Sequence, residues 1–386
     1  MGRRGAVVAV ALALSVASVA AAASSTGTGP VATGDRPAVR VAGPSRRVTV
    51  VAGGDVLTES RVRTVAAGYG ASTGARFDFA PMFEPVRPVV EGADVAICHM
   101  ELPIGTAGGG YGNYGRSPYG GNLLLAPYEI ATGVRAVGFD RCSTASNHSD
   151  DLGANGIAWT LAALAEHGLG AAGTATSAAT AGPAHFTAGG IRMAHVSFTA
   201  GSNTGAPSEP WRLNLSRNPA VVAEQVARAR REGAEIVLVS MHLTQEMLTA
   251  PTAADRALVT SIVRAAKVDA LFVHGPHVVQ PFEFVDGTPV WWSLGNFVSE
   301  MGGPTATGRY VDPRTGDGLL ARVEFLDMGE GLFKVDVATI AICNESAART
   351  VRPASIDLAR PDVAPAVKAE LAACLARTRA VVPDAT

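Results

Sequence analysis

Short apolar runs bounded by abrupt polar residues recur along the chain: Val48–Ala52, Ala93–Cys98, Phe139–Ala145, Glu235–Met241, Val268–Val273 and Val290–Leu294. Their length and their content of Val, Ile and Phe predict β-strands. Helical periodicity fills several of the intervals. Residues 155–166 place Ile157, Leu161 and Leu164 on one face and stop at Gly168. A second helix is predicted to start at Asn218-Pro219, a capping side chain followed by a residue whose missing N–H costs nothing at the first helical position. It carries Val222 and Val226 and ends at Gly233, and a third covers about 253–266. Strand and helix alternate, which predicts an α/β fold.

The residues that follow the strands carry the chemistry. Gly54-Asp55 follows the first, His99-Met100-Glu101 the second, and Ser146-Asn147-His148 with Asp151 the third. His242 with Glu246 follows the fourth, His274-Gly275-Pro276-His277 the fifth, and Asn296 the sixth. In open α/β sheets such ends face a shared crevice where ligands bind. Of the eight histidines, five (99, 148, 242, 274 and 277) fall at these ends, a sorting that scattered surface residues would not show. Each group alone has a structural explanation: Asp55 could cap a loop, His242 could be a hydrogen-bonded core residue, Asn147 could hold a turn. Their recurrence at successive strand ends favours a divalent-metal site, because carboxylate, amide and imidazole donors suit such ions and no thiolate is needed. The donors outnumber what one tetrahedral ion uses, so two ions about 3.5–4 Å apart, activating a water, are accommodated.

Composition narrows the alternatives. The chain has 386 residues, 47% of them apolar and 17% charged, with 32 basic against 34 acidic side chains and a net charge of −2. That balance lacks the phosphate-neutralising stripe of a nucleic-acid binder. Gly110-Tyr111-Gly112-Asn113-Tyr114-Gly115 formally matches a dinucleotide fingerprint, but it opens no predicted helix. No GxSxG elbow and no P-loop occurs. The stretch 105–121, with Tyr111, Tyr114, Arg116 and Tyr119, is expected to be either an aromatic rim over the crevice or a plain surface loop.

The ends of the chain read differently from its middle. A basic start at Arg3-Arg4, an Ala-rich apolar run to Ala23 and small residues at its close predict a cleaved signal peptide over 1–23 and export to the envelope or beyond. Residues 24–46, rich in Ser, Thr, Gly, Pro and Ala, are expected to be a flexible linker, with a folded domain over 47–342. In an oxidising compartment the four cysteines allow three pairings, with buried thiols as the alternative. Cys98 and Cys142 each precede a polar cluster and could be neighbours, whereas Cys343 with Cys374 would pin the tail, 343–386. That tail carries a predicted helix over 362–379, with Val367, Leu371 and Leu375 at helical spacing.

Taken in order, Gly54-Asp55, Ala93-Asp94 with His99-Met100-Glu101, Ser146-Asn147-His148 with Asp151 and Gly153, His242 with Glu246, His274-Gly-Pro-His277-Val-Val-Gln280 and Ser293-Leu-Gly-Asn296-Phe297 resemble the motifs of the capsule-synthesis (CapA, poly-γ-glutamate capsule) family. The domain of that family is similar to calcineurin-like metallophosphoesterases, and the resemblance runs over about 47–326. It implies a four-layer α/β/β/α sandwich. It implies one or two divalent ions (Mn, Fe or Zn) on Asp55, Glu101, Asn147, His242, His274 and His277, with Glu101 bridging. His148 is then the proton donor or oxyanion stabiliser, oriented by Asp151, and His99, Glu246, Asn296 and Arg116 surround ligands or substrate. The chain departs from the family pattern where His99 replaces an Asn, Thr244 and Val273 replace glycines, and Gly275 replaces a second His. His99 is expected to pack beside Glu101 rather than to ligate. The implied role is an exported metal-dependent hydrolase of phosphoester type in capsular-polymer or cell-envelope metabolism, with an anionic polymer or phosphoester as substrate and a membrane-bound capsule synthase as a partner. The alternatives are a non-catalytic assembly or polymer-binding factor on the same fold, and a metal-dependent amide-bond enzyme acting on glutamyl polymer.

Overall fold

A computed structural model describes residues 46–301 and 312–386; the expected signal peptide and nearly all of the expected linker lie outside the described residues. In chain order the strands are β1 (Arg47–Val56), β2 (Val95–Met100), β3 (Gly112–Arg116), β4 (Asn122–Leu125), β5 (Arg141–Ser143), β6 (Gly170–Ala172), β7 (Ala184–Ala188) and β8 (Ile191–Thr199). They continue as β9 (Ile236–His242), β10 (Ala270–His274), β11 (Val279–Val285), β12 (Thr288–Leu294), β13 (Asn296–Val298), β14 (Asp317–Gly329), β15 (Leu332–Asn344) and β16 (Val351–Pro353). One sheet has the order β16-β15-β14-β1-β2-β5-β6, with β13 joining the end of β1. The second has the order β11-β12-β10-β9-β8-β7, and β3 and β4 form a separate hairpin. In both sheets the central strands run parallel and antiparallel strands close an edge.

The period-2 alternation of side chains separates three apolar layers. Val48, Val50 and Ala52 of β1 point to the second sheet, where they meet Met193, Leu238, Phe272 and Trp291, whereas Val51 points away. On that outer side of the first sheet lie α1 (Ser60–Ala71), α2 (Ala80–Phe83), α3 (Arg87–Val90), α4 (Glu129–Ala136) and α5 (Gly153–Glu166), contributing Val62, Phe83, Val90, Ile130 and Leu164. On the outer side of the second sheet, Val237, Val239, Leu271 and Trp292 pack on Val222 and Val226 of α6 (Pro219–Arg231) and on Val259 and Ile262 of α7 (Ala253–Ala265). Helices, sheet, sheet, helices is the four-layer sandwich expected from the sequence. Asn218 caps α6 as its sequence predicts, its side chain accepting from the Ala220 amide.

The chain after β14 belongs to the same body. β15 runs from Leu332 to Asn344, β16 extends the first sheet, and after α8 (Ala354–Ala359) the last helix, α9 (Pro365–Arg379), sends Leu371 and Leu375 into the layer between the sheets. Cys343–Cys374 ties β15 to α9, and Cys98–Cys142 links neighbouring β2 and β5. Among the described residues no helix is long and apolar enough to cross a membrane.

Candidate metal centre

Strand register assembles the polar cluster. On β1, Asp55 is opposite His99 of β2 on one side and Asn296 of β13 on the other. His99 in turn is opposite Ser143 of β5, and in the second sheet His242 of β9 is opposite His274 of β10. Strands β2, β9 and β10 therefore run one or two residues further than the apolar runs indicate, and His99, His242 and His274 are strand residues rather than loop residues. Burial of the polar ends inside the sandwich keeps the ladder intact past the apolar stretch. Glycine allows the close approach this requires: a Cβ at Gly54 would lie 2.1 Å from the Gly295 carbonyl oxygen. At Gly275 (φ 98°) it would lie 2.1 Å from the Leu243 carbonyl oxygen and 2.8 Å from the His242 ring.

Three overlapping groups have metal-ligand proximity: Asp55, His99 and His274; His99, Glu101 and His242; Asp55, Glu101 and His277. All six side chains are buried. Asp55 Oδ2 is 3.1 Å from His277 Nδ1 and accepts the Gly275 amide at 3.2 Å, while Oδ1 is 3.5 Å from His274 Nδ1. Glu101 Oε1 is 3.7 Å from His277 Nε2. His277 sits at φ 58°, a conformation uncommon outside glycine, and Asn296 positions it: its Oδ1 is 3.1 Å from His277 Nδ1 while its amide donates to the Thr315 carbonyl at 2.8 Å.

The charges of these groups follow from burial against proximity. Burial pushes the Glu101 carboxyl up to about 8, outweighing the pull of His277. Burial would also raise Asp55, but His274 and His277 hold it well below the ordinary carboxylate range. Burial opposes the charge on His277, yet the Glu101 and Asp55 carboxylates raise it to about 10. Burial lowers His242 to about 3 and takes His99 well below its usual value, the latter helped by His274. Neutral imidazoles are the form that binds metal.

Buried polar atoms in proteins are nearly always hydrogen-bonded. Here Asp55 Oδ1, Glu101 Oε2, Asn147 Oδ1 and both ring nitrogens of His274 have no hydrogen-bond partner. Unsatisfied carboxylate, amide and imidazole atoms gathered at the same strand ends fit a divalent cation.

Beside this cluster stands a second arm. His148 Nδ1 donates to Asp151 Oδ2 at 2.6 Å, and that carboxylate oxygen also accepts the Leu124 amide at 2.7 Å. Burial disfavours the imidazolium, but the Asp151 hydrogen bond and charge raise His148 above the usual histidine value. Asn203, which sequence inspection misses, joins this arm to the metal-type residues: its Oδ1 accepts from Asn147 Nδ2 at 3.2 Å and its amide nitrogen lies 3.1 Å from His148 Nδ1. The signal available for it is Gly201-Ser202-Asn203-Thr204 directly after β8, a strand whose Arg192, His195 and Ser197 break its apolar run.

Not every predicted residue joins the cluster. Glu246 is exposed, although its charge still acts on Glu101 and His277. Arg116 is on the β3–β4 hairpin and donates to the Gly120 carbonyl at 3.0 Å within that hairpin. The surrounding 105–121 stretch is structured: Tyr111 packs edge-on against Phe77, while Tyr119 is 74% exposed.

Fold and site together define a four-layer α/β protein with a buried carboxylate–imidazole centre at its strand ends. Residues 49–301 match the family model described as bacterial capsule synthesis protein PGA_cap, and the chain belongs to that family. It is 27% identical over 297 residues to the capsule biosynthesis protein CapA of Bacillus anthracis, covering 75% of this chain and 67% of the relative. It is 26% identical over 285 residues to the PGA biosynthesis protein CapA of Bacillus subtilis, covering 73% and 69%. Among solved structures it is similar to the calcineurin-like phosphoesterase YfkN from Bacillus subtilis, with a TM-score of 0.44 and 10% identity over 87% of this chain and 98% of the other.

Proposed function

We propose that this chain is an exported metal-dependent hydrolase of phosphoester type acting in capsular-polymer or cell-envelope metabolism. The observation that carries this reading is the convergence of unpartnered buried donor atoms on Asp55, Glu101, Asn147 and His274 next to a histidine–aspartate pair. Asp55, Asn147, His242, His274 and His277 would hold one or two divalent ions of the Mn, Fe or Zn class. Glu101, which has metal-ligand proximity to His242 and also to Asp55 and His277, would be the carboxylate shared between two ions. When bound, such ions polarise a phosphoryl oxygen and lower the pKa of water.

The remaining work falls to the chain's own side chains. Asp151 accepts from Nδ1 of His148 and so fixes the ring with Nε2 turned away from the carboxylate. His148, held protonated by that carboxylate, gives its Nε2 proton to the leaving oxygen or stabilises charge developing there. Asn203 holds Asn147 by two hydrogen bonds, its Oδ1 accepting from Asn147 Nδ2 and its backbone N–H donating to the Asn147 carbonyl, and so fixes the residue that precedes His148. A phosphoester or another anionic polymer segment suits a centre that carries a cationic His148 beside divalent-ion ligands, and the names of the relatives supply the capsular context.

Metal content per chain tests the reading, together with hydrolysis of a chromogenic phosphodiester and release of glutamate from poly-γ-glutamate. One to two equivalents of Mn, Fe or Zn, lost in His277→Ala, with diester turnover abolished by chelation, is the expected result. Glutamate release without diester turnover would replace the phosphoester assignment with an amide-bond one. Polymer binding that is indifferent to chelation would replace catalysis with an assembly role.

A further inference from the structure

We infer that His99, expected from the sequence to pack beside Glu101, is instead a metal ligand through Nε2, with Ser143 as the residue that sets its tautomer. This rests on the metal-centre reading above and adds to it a nitrogen donor on β2. Ser143 Oγ lies 2.7 Å from His99 Nδ1 and 3.4 Å from the Cys98 carbonyl oxygen. A carbonyl can only accept, so the Ser143 hydroxyl is assigned as a long-range donor to it and as the acceptor of the Nδ1–H of His99. In that tautomer the lone pair of His99 is on Nε2. That atom is directed into the cluster, 3.1 Å from His242 Nδ1 and 4.0 Å from Asp55 Oδ1.

His242 also presents Nδ1 to this point, since its Nε2 edge is against Gly275, where an added Cβ would come within 2.9 Å of it. Two imidazole nitrogens 3.1 Å apart have the spacing of neighbouring ligands on one ion with metal–nitrogen bonds of about 2.0–2.1 Å. The rings are already aligned: His99 stacks on His274 with centroids 4.1 Å apart and planes 12° apart, and on His242 at 5.2 Å and 25°. His99 is fully buried, so orienting it costs no exposure to solvent on metal binding. A simple packing role would require a ring of this shape but no lone pair on it. Such a role would also leave His242 Nδ1 donating to His99 Nε2 with no ion between them.

The two accounts separate in a cobalt and zinc titration of the full chain. His99→Phe keeps the aromatic stack and removes both nitrogens, His99→Asn keeps polarity in a smaller side chain, and Ser143→Ala removes the hydroxyl that fixes the tautomer. The readouts are metal affinity, bound equivalents and the visible absorption of bound Co2+, with circular dichroism and the thermal midpoint of the metal-free protein as folding controls. We expect both His99 variants to lose at least about tenfold in affinity and to change the cobalt spectrum, and Ser143→Ala to lose about tenfold through misorientation of the ring. Wild-type affinity and spectrum in a folded His99→Phe protein would overturn the inference while leaving the metal centre standing; if that variant does not fold, His99→Asn decides on the same criteria. A wild-type chain that binds neither ion would overturn the metal-centre reading and this inference with it.

Discussion

The proton-donor role proposed for His148 rests on one contact: a 2.6 Å bond to the buried Asp151 carboxylate fixes the ring and favours its charged form. Replacing His148 with Ala is expected to lower kcat for a phosphodiester by about 10²–10⁴-fold. Metal content should stay unchanged, because among the described residues no group with metal-ligand proximity contains His148. Elemental analysis alongside steady-state kinetics checks both halves of that statement, and loss of metal in His148→Ala would show that the residue belongs to the ligand set. At Gly275 the φ of 98° and the contact with the His242 ring leave no room for a side chain, so Gly275→Ala should displace His242 and lower metal affinity. Here the departure from the family pattern has a local cause: a side chain at 275 and the observed position of His242 exclude one another. Aspartate and histidine at strand ends are legible in the sequence as chemistry-bearing types. Asn203 is not, because its role depends on which loop lies across from Asn147.

At the level of elements, β1 and β13 are joined where Gly54 meets Gly295, and Asp55 and Asn296 are opposite one another just beyond. Gly54→Ala forces these backbones apart. It should cost about 2 kcal/mol or more, by analogy with overpacking of close-packed interiors, and should weaken metal binding with it. Chemical denaturation and a metal titration on the same variant measure the two effects. The Cys343–Cys374 bridge spans 31 residues and holds α9 against β15. Replacing both cysteines with serine is expected to remove about 2–4 kcal/mol of stability. The loss should be read as a lower denaturation midpoint with little change in metal stoichiometry, since the bridge lies outside the cluster. The strands whose apolar residues run together were readable from sequence, as were the helices with a clear stripe or cap. β14 and β15 were not: their exposed halves mix polar with apolar residues, as in Lys334, Asp336 and Ala338 opposite Leu326, Glu324 and Arg322, and the apolar stretches Leu319–Ala321 and Ile340–Cys343 cover only a small part of each strand.

For the whole molecule, the sandwich places two sheets face to face over an apolar layer, and at one end of that layer the apolar side chains give way to buried histidines and carboxylates. Such an arrangement is destabilising without a cation, because desolvated polar atoms are left unpaired. Binding an ion to the folded state alone should stabilise it by RT ln(1 + [L]/Kd), about 2.7 kcal/mol at one hundred times Kd. Thermal unfolding should therefore shift upward on adding Zn2+ or Mn2+ to the chelated protein. The shift should disappear in Asp55→Asn, which removes the carboxylate held ionised at the centre. A midpoint indifferent to both ions would count against a metal centre.

By itself the sequence determined the residue types, the alternating α/β order, the caps and stops of the helices and the candidate chemistry at the ends of the strands, because these depend on neighbours a few positions away. Its family motifs also carried the four-layer expectation. The tertiary structure decided which strands lie side by side, and hence that Asp55 faces both His99 and Asn296, that His242 lies beside His274, and that Ser143 fixes the His99 ring. It also decided that Arg116 remains on an exposed hairpin and that the last helix closes the layer between the sheets. Register and packing across tens or hundreds of residues settle such contacts, and local pattern carries no information about either.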